Sequence, residues 1–593
     1  MNPNDTAESA TIHSFLNCYL RETGDYAVVP AGDAPVETDA EEVVHAPLSR
    51  QGVDLYVPLS YRSPTDRHLF DLPGVYRLPD GETFPLDYTV LVTLVTSELR
   101  LGRDAAGAAD ELLLRVVKSC QNIERFVEAR RGDEERLYGF DTSFRDAEQS
   151  LVFGHPLHPT PKSRQGIPDH ESRTYAPELR GSFSLSYFSA DPGLVVQESA
   201  RDDSAAEWVA SALRADDLVP ESFVSEHVDS DRVLLPVHPW QADYLRAQPE
   251  VRAHLGDGLE HVGQVGREFY PTSSVRTLYA PDSPFMVKAS LNVKITNSER
   301  TNKRPELERG VAVTELLDTE LGDEMESRFP AFDVVRDPAY LTVDLGDGES
   351  GFETVLRENP FRGNAATNAT PVVGLCQDHL GDGSSRLATL VEGIADHEGR
   401  PTDEVAEDWF RQYLELSVRP VLWLYLERGL GVEAHQQNSV LTLDGGYPET
   451  FRYRDNQGYY LPESMYDEVD ALLPGIGERA DTVCPDAVAD ERVRYYVIIN
   501  NAFGLVNAFG TAGLVDERRL LGVLREELES LRRYDRPSSS LLDDLLTRAT
   551  IPCKANLLTR FHDMDELEGL LANQSVYADI DNPLVTELEV PTP

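Results

Sequence analysis

Apolar and polar side chains alternate without exception over residues 287–296. The apolar set is Val287, Ala289, Leu291, Val293 and Ile295, and the polar set is Lys288, Ser290, Asn292, Lys294 and Thr296. A period of two predicts a half-buried β-strand. A solvated outer face would explain the polar set, but lysine is scarce in this chain, so we interpret the face as binding an anion. Lys288 and Thr296 are about 26 Å apart along an ideal strand, so one ligand reaches both only if the strand bends.

Other segments show the periods of strands and helices. The pattern predicts a strand over residues 86–95 and helices over residues 105–131, 205–215, 403–428 and 516–534, with a break near Pro420 in the 403–428 helix. The apolar stretch 496–515 contains Asn500, Asn501 and Asn507, which favours a buried helix over a membrane span. The length of 593 residues predicts three or more domains or one large enzyme with several lobes.

A second polar segment precedes a predicted hairpin. Residues 433–438 read Glu-Ala-His-Gln-Gln-Asn, an apolar strand pattern follows, and Gly445-Gly446 falls near the predicted tip. Such a hairpin brings Asn438 close to Asp455, 17 residues later. Glu433, Gln437, Asn438 and Asp455 would then form a set of oxygen ligands that suits Mg²⁺ bound to phosphates. A polar turn with satisfied side chains is the structural alternative.

Two further segments contain histidine. Residues 154–166 include His155, His158, Lys162 and Arg164 in a loop rich in proline. Zinc is disfavoured there because prolines intervene and no cysteine or third histidine is near, so the loop fits an anion better. His238 follows an apolar strand and precedes Pro239, and we interpret it as structural.

Charge narrows the classes of partner. The chain has 593 residues, and 54 basic against 103 acidic side chains give a net charge of −49. Such a chain repels nucleic acid and anionic membranes. Only six of the basic residues are lysines, which indicates a halophile's protein or, alternatively, an acidic protein from a GC-rich genome. Residues 276–309 reverse the trend, with seven basic and four acidic side chains, and clustered Arg, Lys, Ser and Thr suit a polyphosphate.

Cysteine usage and the absence of standard motifs exclude other classes. The five cysteines lie far apart, and the N-terminus lacks the basic and apolar regions of a signal peptide, which favours a cytoplasmic location. The sequence contains no Walker loop, dinucleotide fingerprint, GxSxG elbow or HExxH motif. It also lacks the glycine-rich loop and lysine strand of a protein kinase.

Six segments in order resemble one family. GHPLHPTPKSRQG, HPWQ, SSVRT, KASLNVKITNSERTNKR, EAHQQN and RDNQG are similar to the motifs of the NRPS-independent siderophore (NIS) synthetases, the aerobactin-synthetase-like IucA/IucC family. The resemblance implies an α+β fold shaped as a cupped hand, with a thumb (1–150), fingers with an antiparallel sheet (151–350) and a largely helical palm (351–593). It also implies adenylation of a citrate-type carboxylate by ATP, followed by attack of an amine or hydroxylamine.

The resemblance implies roles for matching positions. For ATP they are Ser274, Arg276, Thr277, Lys288, Arg300, Gln437, His155, His158, Lys162 and Arg164; for the carboxylate substrate Thr296, Arg300 and His435; and for Mg²⁺ Glu433, Asn438 and Asp455. Arg300, Lys288 and His435 would act in catalysis, with His435 a candidate general base. Asp455-Asn456-Gln457-Gly458 lacks the acidic residue that often precedes this glycine in the family, which puts a second carboxylate there in doubt.

The sequence therefore predicts a cytoplasmic siderophore synthetase that uses ATP and Mg²⁺. Its substrates would be citrate, or a citrate derivative, and a polyamine-derived amine or hydroxylamine, with no nucleic acid or membrane partner. A homodimer is common in the family. An ATP-dependent kinase and a protein that binds or reduces ferric siderophores are the alternative functions.

Overall fold

The computed structural model describes residues 2–588 except 103–108, 297, 347, 563 and 565–574. Its longer helices are Pro3–Thr23, Tyr88–Gly102, Ala109–Ala129, Ala205–Arg214, Pro239–Ala247, Arg304–Leu317, Glu320–Arg328, Arg386–Glu398, Thr402–Leu416, Val418–Leu426, Asp486–Val493, Phe503–Thr511 and Glu517–Leu531. Shorter helices are Glu134–Tyr138, Phe144–Glu148, Ser172–Tyr175, Glu221–Phe223, Pro249–His254, Val372–Leu375, Tyr466–Leu472, Ile476–Ala480, Leu541–Thr547, Asn556–Phe561 and Pro583–Thr586. Val224–Val228 and Arg494–Ala502 are π-helical.

The N-terminal part packs helices on a sheet. The strands of this sheet are Ala27–Pro30, Glu42–Leu48, Val53–Tyr61, Leu69–Phe70, Gly74–Arg77 and Thr83–Leu86. Apolar side chains of the first two long helices pack on the sheet, among them Phe15, Leu16, Leu91 and Val95. Helix Ala109–Ala129 leads from this part toward the centre of the molecule.

A large antiparallel sheet forms the middle of the chain. Its strands, in spatial order, are Val233–Val237, Phe183–Ala190, Leu259–Pro271, Thr277–Tyr279, Phe285–Ala289, Thr354–Glu358, Ala339–Val343 and Val195–Ser199. Every neighbouring pair is antiparallel, so the predicted α+β class is confirmed. The sheet continues past residue 350. A small sheet beside it consists of Arg164–Gln165, Leu291–Ile295 and Ser298–Arg300.

The C-terminal part is mostly helical. Its strands are Phe332–Val335, Ala369–Pro371, Ser439–Asp444 and Tyr447–Arg454 in one sheet, Gly431–Val432, Tyr459–Pro462 and Val483–Cys484 in a second, and Thr550–Lys554 with Tyr577–Asp581 in a third. Trp409, Trp423 and Phe509 are fully buried at the centre of the surrounding helices. The hydrophobic core of this part combines these aromatic side chains with many leucine and valine side chains.

The predicted strand over residues 86–95 is wrong. Only Leu86 belongs to a strand, and Tyr88–Gly102 is a helix. Asp87 begins the helix because its carboxylate accepts the backbone N–H groups of Thr89 and Val90 at 2.8 Å. β-Branched residues gave the segment a strand-like composition, but buried positions 91, 92, 95 and 99 follow one helical face. Helix capping and packing decided the outcome.

Several predicted helices are confirmed. Residues 205–215 and 516–534 form Ala205–Arg214 and Glu517–Leu531, and the 403–428 segment breaks at Ser417. Pro420 explains the break, because a proline ring clashes with the carbonyl four residues earlier. The 105–131 helix is confirmed over Ala109–Ala129; residues 105–108 lie outside the described residues. The stretch 496–515 is buried, and among the described residues no helix is long and apolar enough to cross a membrane.

A buried carboxylate joins the N-terminal and C-terminal parts. Glu517 is fully buried and accepts hydrogen bonds from Tyr61, Ser63, Thr65 and Asn507 at 2.9–3.3 Å. We predict that Glu517→Ala lowers the free energy of unfolding by about 3 kcal/mol or more, because each buried donor left unpaired costs about 1–3 kcal/mol. Urea denaturation in high salt measures the effect. Glu526→Ala on the same helix, where Glu526 is 66% exposed, is the control, and equal stability of the two variants would contradict the prediction.

Candidate active site

One cleft contains every residue to which the resemblance gave a role with ATP, the carboxylate or Mg²⁺. Of the polar face predicted to bind an anion, Lys288 and Thr296 line this cleft, whereas Ser290, Asn292 and Lys294 do not. The volume of the cleft is about 990 Å³, and the cleft lies between the middle sheets, the 439–454 hairpin and the π-helix Arg494–Ala502. The predicted residues that line it are His155, His158, Lys162, Arg164, Ser274, Arg276, Thr277, Lys288, Thr296, Arg300, Glu433, His435, Gln437, Asn438 and Asp455. The size is that of a small-molecule site.

The alternating segment 287–296 bends into two strands. Lys288 belongs to Phe285–Ala289 in the large sheet, whereas Leu291–Ile295 belongs to the small sheet. Ser290 lies at the bend; its backbone N–H donates to the Glu353 carbonyl at 3.0 Å, and its hydroxyl accepts from the backbone of Asn302. The prediction of one continuous strand is wrong. The bend removes the length problem, because Lys288 and Thr296 both reach the same cleft.

Asp455 is the centre of the charge arrangement in the cleft. Lys288 Nζ lies 2.5 Å from its Oδ1, and Arg357 lies 3.7 Å from the same atom. Burial alone would raise the pKa of the Asp455 carboxyl, but Lys288 and Arg357 outweigh it and hold the pKa far below its ordinary value. Burial lowers the pKa of Lys288 to about 8, against the attraction of Asp455. The pair is therefore ionised at neutral pH.

Arg357 and its partner were not found from the sequence. Asp337 is completely buried and binds Arg357 through two hydrogen bonds of 2.6 and 2.8 Å. This bidentate pair fixes the guanidinium beside Asp455. Arg357 lies on the interior strand Thr354–Glu358 of the large sheet, and Asp337 lies just before strand Ala339–Val343. Both are outside all the quoted motifs, and no spacing in the sequence relates them to the cleft.

The remaining predicted cations have defined partners. Arg276 donates to the Asn302 side chain at 2.8 Å and lies 3.4 Å from the Gln457 side-chain oxygen. Arg300 donates to the Thr296 hydroxyl at 3.1 Å. Arg276 thus approaches the cleft from the turn before strand Thr277–Tyr279, and Arg300 from the end of strand Ser298–Arg300. The partners named here are neutral hydrogen-bond acceptors.

The predicted hairpin is confirmed and brings Asn438 beside Asp455. Strands Ser439–Asp444 and Tyr447–Arg454 pair antiparallel, and the Arg454 backbone N–H donates to the Asn438 carbonyl at 2.9 Å. Glu433 behaves differently from Asp455, because its carboxylate accepts a hydrogen bond from Tyr460. Burial raises its pKa.

The ends of the hairpin offer few oxygen ligands for a metal ion. Among the described residues no group of three or more His, Cys, Asp or Glu side chains is arranged to hold a metal ion. One carboxylate and one amide oxygen are nevertheless sufficient for Mg²⁺ that also binds substrate phosphates. The chemistry of Asn438 and Asp455 therefore fits a metal brought in with a nucleotide.

His435 is held as a neutral ring. Its Nδ1 accepts the backbone N–H of Asn438 at 3.4 Å, and the ring lies 5.7 Å from that of Tyr496. Burial lowers its pKa to about 3. An accepting Nδ1 places the proton on Nε2, so the ring can donate one hydrogen bond.

The histidine loop contains a buried ion cluster. Lys162 Nζ donates to the Leu151 carbonyl at 2.5 Å and to Glu178 at 2.6 Å, and Arg164 donates to the same carboxylate oxygen at 2.6 Å. Burial would raise the pKa of Glu178, but Arg164 and Lys162 lower it to about 2. Glu178, which the sequence analysis missed, thus compensates two charges of the predicted phosphate-binding loop.

The other predicted structural features follow expectation. His238 is fully buried, and its Nδ1 accepts the backbone N–H of Trp240, so it begins a helix. All five cysteines are free thiols. His155 Nε2 lies 2.6 Å from the side-chain nitrogen of Asn500, a π-helical residue that the sequence analysis assigned only to the buried stretch.

A further buried ion pair, between Arg454 and Glu148, positions the Ser273–Thr277 loop. Arg454 Nη1 lies 2.6 Å from Glu148, and both side chains are almost fully buried. The other oxygen of Glu148 accepts the backbone N–H and the hydroxyl of Ser273 at 3.0 and 2.9 Å. Gln437 also donates to the Ser273 hydroxyl. The loop is therefore tied to the hairpin across the cleft.

Backbone strain is concentrated in the same place. Val275, Thr296, Asp455 and Asp481 line the cleft, and all have φ between 50° and 91°. Non-glycine residues rarely adopt this conformation, and β-branched ones least of all. Such strain persists where surrounding contacts over-determine the backbone, often at functional sites.

Comparisons with known proteins place the chain in a family. The profile of the IucA/IucC family matches residues 143–377, and that of the ferric iron reductase FhuF-like transporter family matches residues 407–569. A spermidine-citrate ligase of Bacillus anthracis is 45% identical to this chain and covers 98% of both proteins. The rhizobactin siderophore biosynthesis protein RhbC of Rhizobium meliloti is 39% identical, over 98% of this chain and 97% of that protein. The chain belongs to the IucA/IucC family.

The fold agrees with this membership. The structure of ATP-bound aerobactin synthetase IucA from Klebsiella pneumoniae superposes with a TM-score of 0.87 at 26% identity, covering 97% of this chain and 99% of that one. The similarity therefore extends over the N-terminal helices, the middle sheets and the C-terminal helices alike.

The protonation state of His435 is testable in the isolated protein. Because burial lowers its pKa to about 3, the ring gains no proton as the pH falls from 8 to 5. We predict that its ring signal, assigned by loss in His435→Gln, does not shift over this range in NMR spectra of histidine-labelled protein. A titration midpoint between pH 6 and 7 would contradict a neutral ring.

Proposed function

We propose that this protein uses ATP to adenylate a carboxylate of citrate or a citrate derivative and then joins the acyl group to an amine, releasing pyrophosphate and AMP. One observation carries the proposal: three cations, Arg276, Lys288 and Arg300, line the same cleft as the Asn438–Asp455 pair. Membership of the IucA/IucC family and the activities for which its relatives are named support it.

Charge gives the physical reason for this assignment. ATP and citrate are both anions, and a chain of −49 repels them unless a local positive site exists. The proposed role of Arg276, Lys288 and Arg300 is to neutralise the triphosphate and the incoming carboxylate. The same cations would stabilise charge that develops on the phosphorus and the leaving pyrophosphate.

Magnesium would bind at the hairpin ends. Asn438 and Asp455 are the proposed ligands, and the phosphates of ATP would complete the coordination. Bound Mg²⁺ neutralises phosphate charge during displacement. Asp455 must then exchange its contact with Lys288 for the metal, which leaves the lysine ammonium for phosphate. Glu433 remains a candidate ligand, although its carboxylate is hydrogen-bonded to Tyr460.

His435 is proposed to act as a hydrogen-bond donor to the carboxylate substrate. A base whose pKa is about 3 provides little driving force for removing a proton from an amine near neutral pH. Its Nε2–H can instead orient the carboxylate oxygen that attacks the α-phosphorus. The low pKa of His435 therefore favours a hydrogen-bond donor over the general base suggested by the resemblance.

The relatives suggest the class of amine. Their names describe ligation of citrate to spermidine, to a hydroxylysine derivative and to diaminopropanoate. We propose a polyamine of the spermidine type, because the relative named for that substrate is 45% identical to this chain.

We also propose that residues 1–150, 151–350 and 351–593 act as thumb, fingers and palm, with strand Thr354–Glu358 extending the sheet of the fingers past residue 350.

The nucleotide product separates this proposal from a kinase. With ATP, Mg²⁺, citrate and hydroxylamine in high salt, we expect citrate-dependent formation of a hydroxamate and of AMP in equal amounts. Chromatography of the nucleotides and the ferric colour reaction of the hydroxamate measure both products. Formation of ADP without AMP would favour phosphoryl transfer instead.

Arg300 is the residue whose loss should affect adenylation most directly. We predict that Arg300→Ala lowers the rate of citrate-dependent pyrophosphate release about 100-fold or more, because one preorganised donor contributes about 3–4 kcal/mol to the barrier. Arg304→Ala is the matched control, since Arg304 is 53% exposed and pairs with Glu308 on the adjacent helix. Near-normal pyrophosphate release by Arg300→Ala would contradict the assignment.

A further inference from the structure

Thr296 has every polar group fixed. Its backbone is left-handed, with φ of 53°, although it is β-branched. Its N–H donates to the Ser163 carbonyl at 3.2 Å, and its hydroxyl accepts from Arg300 and donates to the Ile295 carbonyl. Its own carbonyl accepts a hydrogen bond of 2.6 Å from Arg115. A strained residue held at all its polar atoms indicates a geometry required for function.

Arg115 comes from a different part of the molecule. It lies on helix Ala109–Ala129, and its side chain is only 2% exposed. Its Nε donates to Glu111 at 2.7 Å, and its Nη2 donates to the Gln165 side chain at 3.1 Å. Gln165 also donates to Glu111 at 2.9 Å. Glu111 and Gln165 thus fix two nitrogens of the guanidinium, so that the third is aimed at the Thr296 carbonyl.

The same contacts tie the helix to the small sheet. Gln165 belongs to strand Arg164–Gln165, which pairs with Lys294 and Ile295 immediately before Thr296. Arg115 therefore holds both the strand and the turn that follows it. The Lys288 side of the cleft has further anchors. Lys288 binds Asp455, and Arg276 donates to the side chain of Asn302 and to the carbonyl of Arg300.

We infer that Arg115 is a positioning residue that holds the Thr296 turn in the conformation that binds the carboxylate substrate. The inference rests on the proposed function, because it takes Thr296 and Arg300 as the carboxylate-binding residues. It assigns a catalytic purpose to a helix of the N-terminal part, which contributes none of the predicted site residues. Losing Arg115 should weaken carboxylate binding more than ATP binding, because Thr296 is assigned to the carboxylate alone. ATP has further proposed ligands, such as Lys288 and Arg276, that are held by other partners.

The test compares substrate dependence in matched variants. Arg115→Met keeps the length of the side chain without its donors, Arg115→Lys restores one donor, and Glu111→Gln weakens the orientation of the guanidinium. Arg386→Met is the control, since Arg386 is similarly buried and donates at 3.2 Å to the hydroxyl of Thr370 instead of to the turn. Thermal unfolding of each variant checks folding.

The expected result is a separation of the two Michaelis constants. In citrate-dependent pyrophosphate release, Arg115→Met should raise KM for citrate at least tenfold and change KM for ATP less than threefold. Arg115→Lys and Glu111→Gln should give intermediate values of KM for citrate, and Arg386→Met should leave the ratio of the two constants unchanged.

Other outcomes overturn the inference and remain distinct from a failure of the proposed function. An unchanged KM for citrate in folded Arg115→Met, or an equal rise of both constants, shows that Arg115 is only structural. If Arg115→Met does not fold, Arg115→Lys and Glu111→Gln decide by the same ratio. A wild-type protein that forms no AMP with citrate and an amine overturns the proposed function itself.

Discussion

The requirement that a buried charge has a partner governs the organisation of this cleft. Isolated buried ions are costly, and removing one member of a buried pair leaves the other uncompensated. Lys288 is therefore paired with Asp455, Arg357 with Asp337, Arg454 with Glu148 and Lys162 with Glu178. In a chain of −49, these pairs hold positive groups at fixed positions. The cations of the cleft thus stay in place for anionic substrates and do not pair with carboxylates of the acidic protein surface.

These pairs also connect segments that are far apart in the sequence. Glu148 and Arg454 link the Ser273 loop to the hairpin, and Asp455 joins the hairpin to the large sheet. Arg115 extends the connection to the N-terminal helices. Val275, Thr296 and Asp455, which have positive φ, lie where these segments meet. A backbone held by several neighbours can keep a conformation that it would not adopt alone. The site is therefore a property of the whole chain, in agreement with the full-length similarity to IucA.

Local sequence predicted elements well where one physical effect dominated. The helix Glu517–Leu531 has a long amphipathic period, and the hairpin that ends at Arg454 has glycines at its tip. Prediction failed where two effects competed. Residues 86–95 have a strand-like composition, yet capping by Asp87 and burial of one helical face produced Tyr88–Gly102. For residues 287–296 the strand conformation was predicted correctly, but the division into two strands was not. The bend depends on hydrogen bonds of Ser290 with Asn302 and Glu353, which are distant in the sequence.

By itself, the sequence determined which chemical groups are available: an acidic chain with a basic segment, six ordered motifs and an Asn–Asp pair at the ends of a hairpin. That was enough to assign site roles to fifteen residues, all of which line the cleft. Only the tertiary structure decided their partners and protonation states. Arg357, Asp337, Glu178 and Arg115 carry no local signal, since their effects depend on distances across the fold. Burial likewise made His435 neutral and Asp455 ionised, because the cost of charge depends on surroundings that no single segment contains.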